Sequence, residues 1–516
     1  MIAKSTRAKV FLVGAGPGDP GLLTLRAVEC LQQADFVLYD YLTSTRILDY
    51  APAHAERLCV DELPGEHPQR WPHIHQRIIE EASKGRCVVH LKGGDPLIFG
   101  RGGEEAAGLR EAGIPYEIVP GVTAAFAAGA YSEIPLTHRA YASAIAIVTG
   151  HEHPGKTSTR IDWAALSKFP GTLAVYMAVG RLGLIARELI NQGKPADTSV
   201  ALVHRASTGE QQILMGTLGT IDDQIRLAGM TSPSLVIIGQ VVDLKPAVSW
   251  FEARPLLGLR VLVTRPSKQA KTLTRQLELD GAVPYSLPVI EAEAPADWSG
   301  VDVAVSQLEA GRFSWIVFTS ANGVQFFFQR LKEVGKDARV LGGTKIAVIG
   351  PSTAEALAEY HLVADLIPSA GMNSETLAAE LAERVRGQRV LLAQAAEARE
   401  LLRQQLSAVA MVETVEAYRQ TPAIIENRDV FDRLRRGEIH VVTLTSPNIA
   451  KAFLAACDNT IRGRFQRGQI TLVANSLRLK QWLAEQNFPA EVTSDPTNAG
   501  LMAKLRELKL RRDVGD

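Results

Sequence analysis

LKGGDPLIFGRGGEE (91–105) holds five glycines and one proline in fifteen residues. Glycine weakens a backbone unless positive φ or a close approach requires it. The run before it, Cys87-Val88-Val89-His90-Leu91, reads as a buried strand. A second glycine loop, GAGPGDPGLLTL (14–25), follows the strand-like Lys9-Val10-Phe11-Leu12-Val13 and leads into a helical run. Open α/β sheets bind ligands at the carboxyl ends of their strands. Two such loops therefore place a small molecule against the backbone.

The first loop starts like the dinucleotide fingerprint G-x-G-x-x-G, with Asp19 where the third glycine belongs. Pro17 and Pro20 resist a direct run into a helix. Asp40, after the strand Asp35–Tyr39, is then the candidate ribose-binding acid. A lone, broken fingerprint is weak evidence for a nicotinamide enzyme.

Five further motifs follow in order: VPGVTAA (119–125), IPLTHR (134–139), VTGH (148–151), TLAVYM (172–177) and SPSLVIIGQVV (232–242). With the two glycine loops, they resemble the uroporphyrinogen-III C-methyltransferases over roughly residues 8–245. The resemblance implies S-adenosylmethionine as methyl donor. It places Pro17, Gly93, Gly94, Asp95, Ile98, Thr123, Ala124, Met177 and Ala206 around that donor. It makes Asp40 the general base, and Arg101 and Arg139 the candidates for substrate carboxylates. A carboxylate can remove the proton that methylation at carbon makes acidic, and arginine pairs with carboxylates bidentately. Taken singly, Met177 also reads as core filler, Asp95 as a turn residue and each arginine as solvated surface. The chain departs from the family's pattern at Asp61-Glu62, where a Gly-Lys pair is common, at Glu133, which replaces a glycine, and at His75, which replaces an asparagine.

A chain of 516 residues is too long for one core. Its 56 basic and 56 acidic side chains balance, which favours neither nucleic acid nor an anionic membrane. Four scattered cysteines form no CxxC pair. No apolar run approaches the ~20 residues of a membrane helix. The expected setting is reducing cytoplasm. His67, His73 and His75 are interrupted by Pro68 and Pro72 and read as loop residues, so no metal is expected.

Alternating strand-like and helical runs predict α/β architecture with largely parallel sheets. The predicted order is a two-subdomain tetrapyrrole methylase fold over 1–245, a linker over 246–257, and a second domain over 258–516. The second half repeats itself. WIVFTSANGV (315–324) matches HVVTLTSPNIA (440–450), with Thr319 and Thr445 126 positions apart. Asn373 and Asn498 are 125 apart. A near-constant offset means two similar subdomains. Each repeat sets Thr-Ser between a strand and a helix, which serves helix capping or anion binding.

This half resembles uroporphyrinogen-III synthase over roughly 256–510. The resemblance rests on Thr264-Arg265-Pro266, Phe318-Thr319-Ser320-Ala321-Asn322-Gly323-Val324, Ile349-Gly350-Pro351-Ser352-Thr353-Ala354, Val415-Glu416-Ala417-Tyr418 and Thr445-Ser446-Pro447. It implies a two-lobed α/β fold, with lobe one at 258–290 plus 424–516 and lobe two at 292–420. It makes Tyr418 the candidate donor to a departing hydroxyl. Arg265, Thr319, Ser320, Ser352, Thr353, Thr445 and Ser446 become the carboxylate-binding candidates. Gln394 stands where that family commonly has arginine.

The two resemblances together imply a bifunctional enzyme of tetrapyrrole biosynthesis. It would cyclise hydroxymethylbilane to uroporphyrinogen III with inversion of ring D, then methylate twice to precorrin-2, toward sirohaem or cobalamin. The expected partners are these tetrapyrroles and, through the methylase half, a second copy of the chain. A synthase with a degenerate or differently specific methylase is one alternative. A non-catalytic ligand-binding regulator is the other, and seven intact ligand-loop motifs weigh against it.

Overall fold

The computed structural model describes residues 9–515 apart from 42, 66–69, 152–159, 370, 372, 399 and 424–426. The chain divides into two compact units, Met1–Leu259 with Leu277–Val283 and Arg260–Gln276 with Pro284–Asp516. Each unit contains two five-stranded sheets.

In the first unit, β1 (Lys9–Gly14), β2 (Phe36–Tyr39), β3 (Glu56–Cys59), β4 (Cys87–Lys92) and β5 (Tyr116–Val119) form a wholly parallel sheet in the order β3-β2-β4-β1-β5. Both faces are covered, so the strands are apolar almost throughout. Val10, Leu12, Phe36, Leu38 and Val88 pack on one side. Phe11, Val13, Val37, Val89 and Leu91 pack on the other. The strand period of two then puts His90 and Lys92 on the face of Val88, where the apolar pattern gives way to charge.

β6 (Ile145–Thr149), β7 (Thr172–Tyr176), β8 (Ser199–His204), β9 (Gln212–Thr217) and β10 (Ser234–Ile238) form the second sheet in the order β6-β7-β10-β8-β9. Only β6 and β7 are parallel, and the other pairs are antiparallel. This sheet departs from the largely parallel pattern expected of the chain, which the first sheet follows throughout. β10 is buried on both faces through Leu235, Val236, Ile237 and Ile238, and such a run reads the same in either direction.

The segment 246–257, expected to be a linker, is built into this unit. Phe251 is 1% exposed, with its ring 4.9 Å from that of Tyr131. The Trp250 backbone N–H donates to Glu133 at 2.6 Å, and its indole N–H donates to the Ala130 carbonyl at 3.0 Å.

In the second unit, β11 (Arg260–Val263), β12 (Val283–Ser286), β13 (Ile290–Glu293), β14 (Trp315–Phe318), β15 (Lys345–Val348), β16 (Arg389–Ala395), β17 (Met411–Pro422), β18 (Val441–Leu444), β19 (Thr471–Ala474) and β20 (Ala490–Val492) make two sheets, β12-β11-β18-β19-β20 and β13-β17-β16-β14-β15. The chain thus begins in one lobe, builds the other and returns. Among the described residues, no helix is long and apolar enough to cross a membrane.

Candidate active sites

Three loops leave the parallel sheet side by side after β4, β1 and β5. The two glycine loops bond to each other directly. The Gly94 N–H donates to the Gly16 carbonyl at 2.8 Å, and the Gly16 N–H donates to that of Gly94 at 3.2 Å. A side chain at Gly121, in the third loop, would put its Cβ 2.2 Å from the Gly94 oxygen, and one at Gly14 would lie 2.5 Å from the Gly121 nitrogen. No residue but glycine fits there. Asp95 staples the same loops, accepting from Leu97 N–H at 2.8 Å and Gly121 N–H at 3.1 Å.

Loops of the second sheet join this cluster. The Tyr176 hydroxyl, at the end of β7, bonds Thr123 Oγ1 at 2.6 Å and accepts from Ala125 N–H at 2.8 Å. The Phe99 ring lies 5.2 Å from that of Tyr176. Beyond β8, the Ser207 hydroxyl accepts from Asp19 N–H at 3.2 Å, and Tyr131 donates to Asp19 at 2.7 Å. The structure therefore gathers Pro17, Gly93, Gly94, Asp95, Ile98, Thr123, Ala124, Met177 and Ala206 onto loops that touch one another.

The backbone is strained in these loops. Phe99, Arg101, Met177, Arg205 and Ser207 all have left-handed φ between 43° and 67°. Such residues cluster at functional sites, where the surroundings hold them in place. Met177 is 48% exposed and Phe99 42%, so Met177 is not core filler. Gly94 also has positive φ, 67°, and an added Cβ would come no closer than 3.7 Å to Ala124. The positive φ, rather than a clash, is what calls for glycine here.

Asp40 borders the same loops and accepts from Gly93 N–H at 3.2 Å. Behind it lies a charged cluster. His90 Nε2 is 3.9 Å from Asp40 Oδ1, and its Nδ1 is 3.2 Å from Glu105 Oε1. Lys92 Nζ meets the same Glu105 oxygen at 2.6 Å. His90, Lys92 and Glu105 are 1%, 4% and 0% exposed. Burial pushes the Asp40 carboxyl up, but His90, Lys92 and the Gly93 N–H outweigh it and leave the group below its usual range. Burial pushes His90 down, and Glu105 and Asp40 outweigh it to leave the imidazole above its usual value.

The remaining methylase-half candidates sit differently. Arg101 pairs with Glu104 at 2.6 Å and stacks 4.0 Å above Trp71. Arg139 is exposed. Asp61 pairs with Arg70, and Glu62 accepts from Cys59 N–H at 3.1 Å. His75 packs against Gly108 of the helix Gly102–Glu111. His67 and Pro68 lie outside the described residues. Among the described residues, no three His, Cys, Asp or Glu are grouped to hold a metal.

In the second unit, the serines of the Thr-Ser repeats are helix caps. Ser320 accepts from Gly323 N–H at 3.1 Å and Ser446 from Ile449 N–H at 3.2 Å. Thr319, Thr445 and Ser446 are half-buried and Ser352 is exposed. Thr353 is buried, 1% exposed. Arg265 donates to Asn498 at 2.6 Å, and burial pushes its guanidinium down to about 10. Tyr418 is 4% exposed. Its ring stacks on Phe326 at 6.0 Å, and its hydroxyl accepts from Ser320 at 3.1 Å. The candidate donor is thus a buried phenol, held within its own lobe by these contacts.

Residues 9–222 match the family model of the tetrapyrrole (corrin/porphyrin) methylases, and residues 271–503 match that of the uroporphyrinogen-III synthase HemD. Among solved structures, a uroporphyrin-III C-methyl transferase from Thermus thermophilus complexed with S-adenyl homocysteine is 38% identical, with 46% of this chain and 94% of that one covered and a TM-score of 0.39. The uroporphyrinogen-III C-methyltransferase of Bacillus subtilis (strain 168) is 36% identical over 335 residues, 64% of this chain and 68% of that one. The porphyrin biosynthesis protein HemD of Ruminiclostridium josui is 38% identical over 453 residues, 87% of this chain and 88% of that one. The chain belongs to this family: a tetrapyrrole methylase joined to a uroporphyrinogen-III synthase.

The methylase half contains site residues that motif reading did not isolate. Tyr131 and Tyr176 fasten loops 112 and 53 residues away. His90, Lys92 and Glu105 were visible only as parts of a strand and of a glycine loop. Two polar residues two apart in an apolar strand were the available signal.

Proposed function

We propose that the synthase half closes hydroxymethylbilane to uroporphyrinogen III with inversion of the last ring, and that the methylase half converts this product to precorrin-2. S-adenosylmethionine would supply the two methyl groups. The convergence of three glycine loops with strained residues after β4, β7 and β8 carries the reading. Such a cradle admits backbone contact on one side and aromatic and thioether contact, from Phe99 and Met177, on the other. Its main contribution is orientation. Gly93, Gly94, Thr123, Ala124 and Ala206 would line the donor, with Pro17 and Ile98 at its edges. Asp95 holds the loops and keeps lone pairs for ligand hydroxyls. Asp40 would accept the proton released at the methylated carbon, and its depressed carboxyl keeps it ionised for that step. Arg101 and Arg139 would meet substrate carboxylates.

In the synthase half, Arg265, Thr319, Ser320, Ser352, Thr445 and Ser446 would hold acetate and propionate groups, and the enclosure itself would control ring closure. We place the chain in the cytoplasm, where its free cysteines Cys30, Cys59, Cys87 and Cys457 stay reduced, and expect a homodimer through the methylase half.

Incubation with hydroxymethylbilane, with and without S-adenosylmethionine, followed by pigment analysis, tests the whole reading. Uroporphyrin III without the donor and precorrin-2 with it are expected. Type I product alone would refute the synthase reading. Type III product that stays unmethylated would leave only the synthase.

A further inference from the structure

The charged cluster behind Asp40 is the strongest feature of the methylase half that the proposed reaction does not use. It joins three elements: Asp40 after β2, His90 and Lys92 on β4, and Glu105 on the helix Gly102–Glu111. These are the charged groups that face His90. His90 stands opposite Leu38 in one neighbouring strand and Leu12 in the other, so apolar side chains enclose the rest of the ring. Neither ring nitrogen has a well-aligned hydrogen bond, and neither does Glu105 Oε2.

The geometry around the ring bears on its state. Glu105 lies on the Nδ1 side and Asp40 on the Nε2 side. A neutral imidazole carries one N–H and offers a donor to only one of these carboxylates, whereas an imidazolium offers one to each. That state also explains how the ring tolerates carboxylates on both sides.

We propose that His90 is a positioning residue for methyl transfer: it remains an imidazolium between Glu105 and Asp40, and its charge holds Asp40 as an ionised acceptor facing the cleft. The idea rests on the reading of Asp40 as proton acceptor. Lys92 fixes Glu105, Glu105 fixes His90, and His90 acts on Asp40 without touching substrate. Asp40 is the member of the chain that reaches solvent, with its side chain 31% exposed.

Two measurements test this on the full chain. The first is nitrogen NMR of protein labelled at its 11 histidines. One imidazole should titrate above the ordinary histidine value near 6.5. Asp40→Asn should move that signal. If no imidazole titrates above that value, the proposal falls, whatever Asp40 does in catalysis.

The second measurement is the pH profile of methyl transfer. His90→Gln should raise the acid limb of kcat by about 1–3 pH units, the usual effect of an opposite charge at this range. Affinity for S-adenosylhomocysteine should be unchanged. His90→Arg, which restores the charge, should return the limb toward wild type. A persistent imidazolium together with an unmoved limb in His90→Gln would overturn the positioning role. Wild-type turnover in Asp40→Asn would instead remove Asp40 as the acceptor, and the NMR result would still report the charge on His90.

Discussion

The methylase half stores strain at its site, and the synthase half does not. Among the described residues, six of the eight non-glycine residues with left-handed backbone belong to the first unit, and five of those line the convergent loops. The two in the second unit, His361 and Asn487, lie just beyond helix ends. In the first unit the loops fit so closely that a single methyl group at Gly121 would collide with the next backbone. In the second, the corresponding strand-to-helix turns are relaxed, each capped by its own serine. On the proposed reading, a small donor would have to be aimed, which requires rigid loops that meet. A large, reactive substrate would need an enclosure, and ordinary caps would suffice to build one.

The comparison predicts that single changes will damage the first site more than the second. The largest effect is expected at Asp40. Asp40→Asn keeps the volume and removes proton acceptance, so methylation should fall by about 10²–10⁴ while S-adenosylhomocysteine still binds in calorimetry. Turnover like wild type would return Asp40 to holding Gly93. Gly121→Ala comes next. Overpacking of this kind costs about 1–3 kcal/mol, and donor binding should be lost in calorimetry. Its counterpart is Gly323→Ala in the synthase half, where the new Cβ would sit 3.3 Å from the Ala393 oxygen in a helix. That change should be near neutral in denaturant melts, because alanine's helix preference offsets the tight contact. If both glycines prove equally sensitive, the contrast between the halves fails.

A third expectation concerns where the methylase ends. Phe251 and Trp250 pack on Tyr131, whose hydroxyl holds Asp19 in the first glycine loop. A fragment cut after residue 247 loses this packing, and one cut after 259 keeps it. Phe251→Ala in the full chain should cost about 3–5 kcal/mol in that unit and weaken donor binding. If the shorter fragment binds as tightly as the longer, the segment is a connector after all.

The sequence made the two halves legible to different depths for a physical reason. Glycines that cannot be replaced leave their mark in the residues themselves, so LKGGDPLIFGRGGEE could be read directly. Contacts that depend on the fold leave none. Tyr131 reaches Asp19 across 112 residues, and nothing near either one announces the pair. Strand direction was equally hidden in SPSLVIIGQVV, because burial on both faces erases the alternation that would reveal it. The burial of Thr353 and Tyr418 was hidden for a related reason. Their motifs located the right elements, but the side of the element that faces inward is set by packing.

Tyr418 gives the smallest expected effect and the sharpest test of the comparison. Its phenol is buried, stacked on Phe326 and bonded by the Ser320 cap. Burial pushes its ionisation up, which keeps the phenol protonated at neutral pH. Tyr418→Phe keeps the ring and deletes the hydroxyl. The Ser320 hydroxyl still caps Gly323, so the loss should be about 1 kcal/mol in a denaturant melt. If the synthase works by enclosure, cyclisation should slow by no more than about tenfold, the equivalent of 1.4 kcal/mol. The proportion of type III to type I product should hold, because the walls of the cleft are intact. A variant of near-normal stability that releases mainly the type I isomer would show that a fixed donor governs the reaction. The synthase would then depend on one aimed group, as the methylase would on Asp40 if that carboxylate is the proton acceptor.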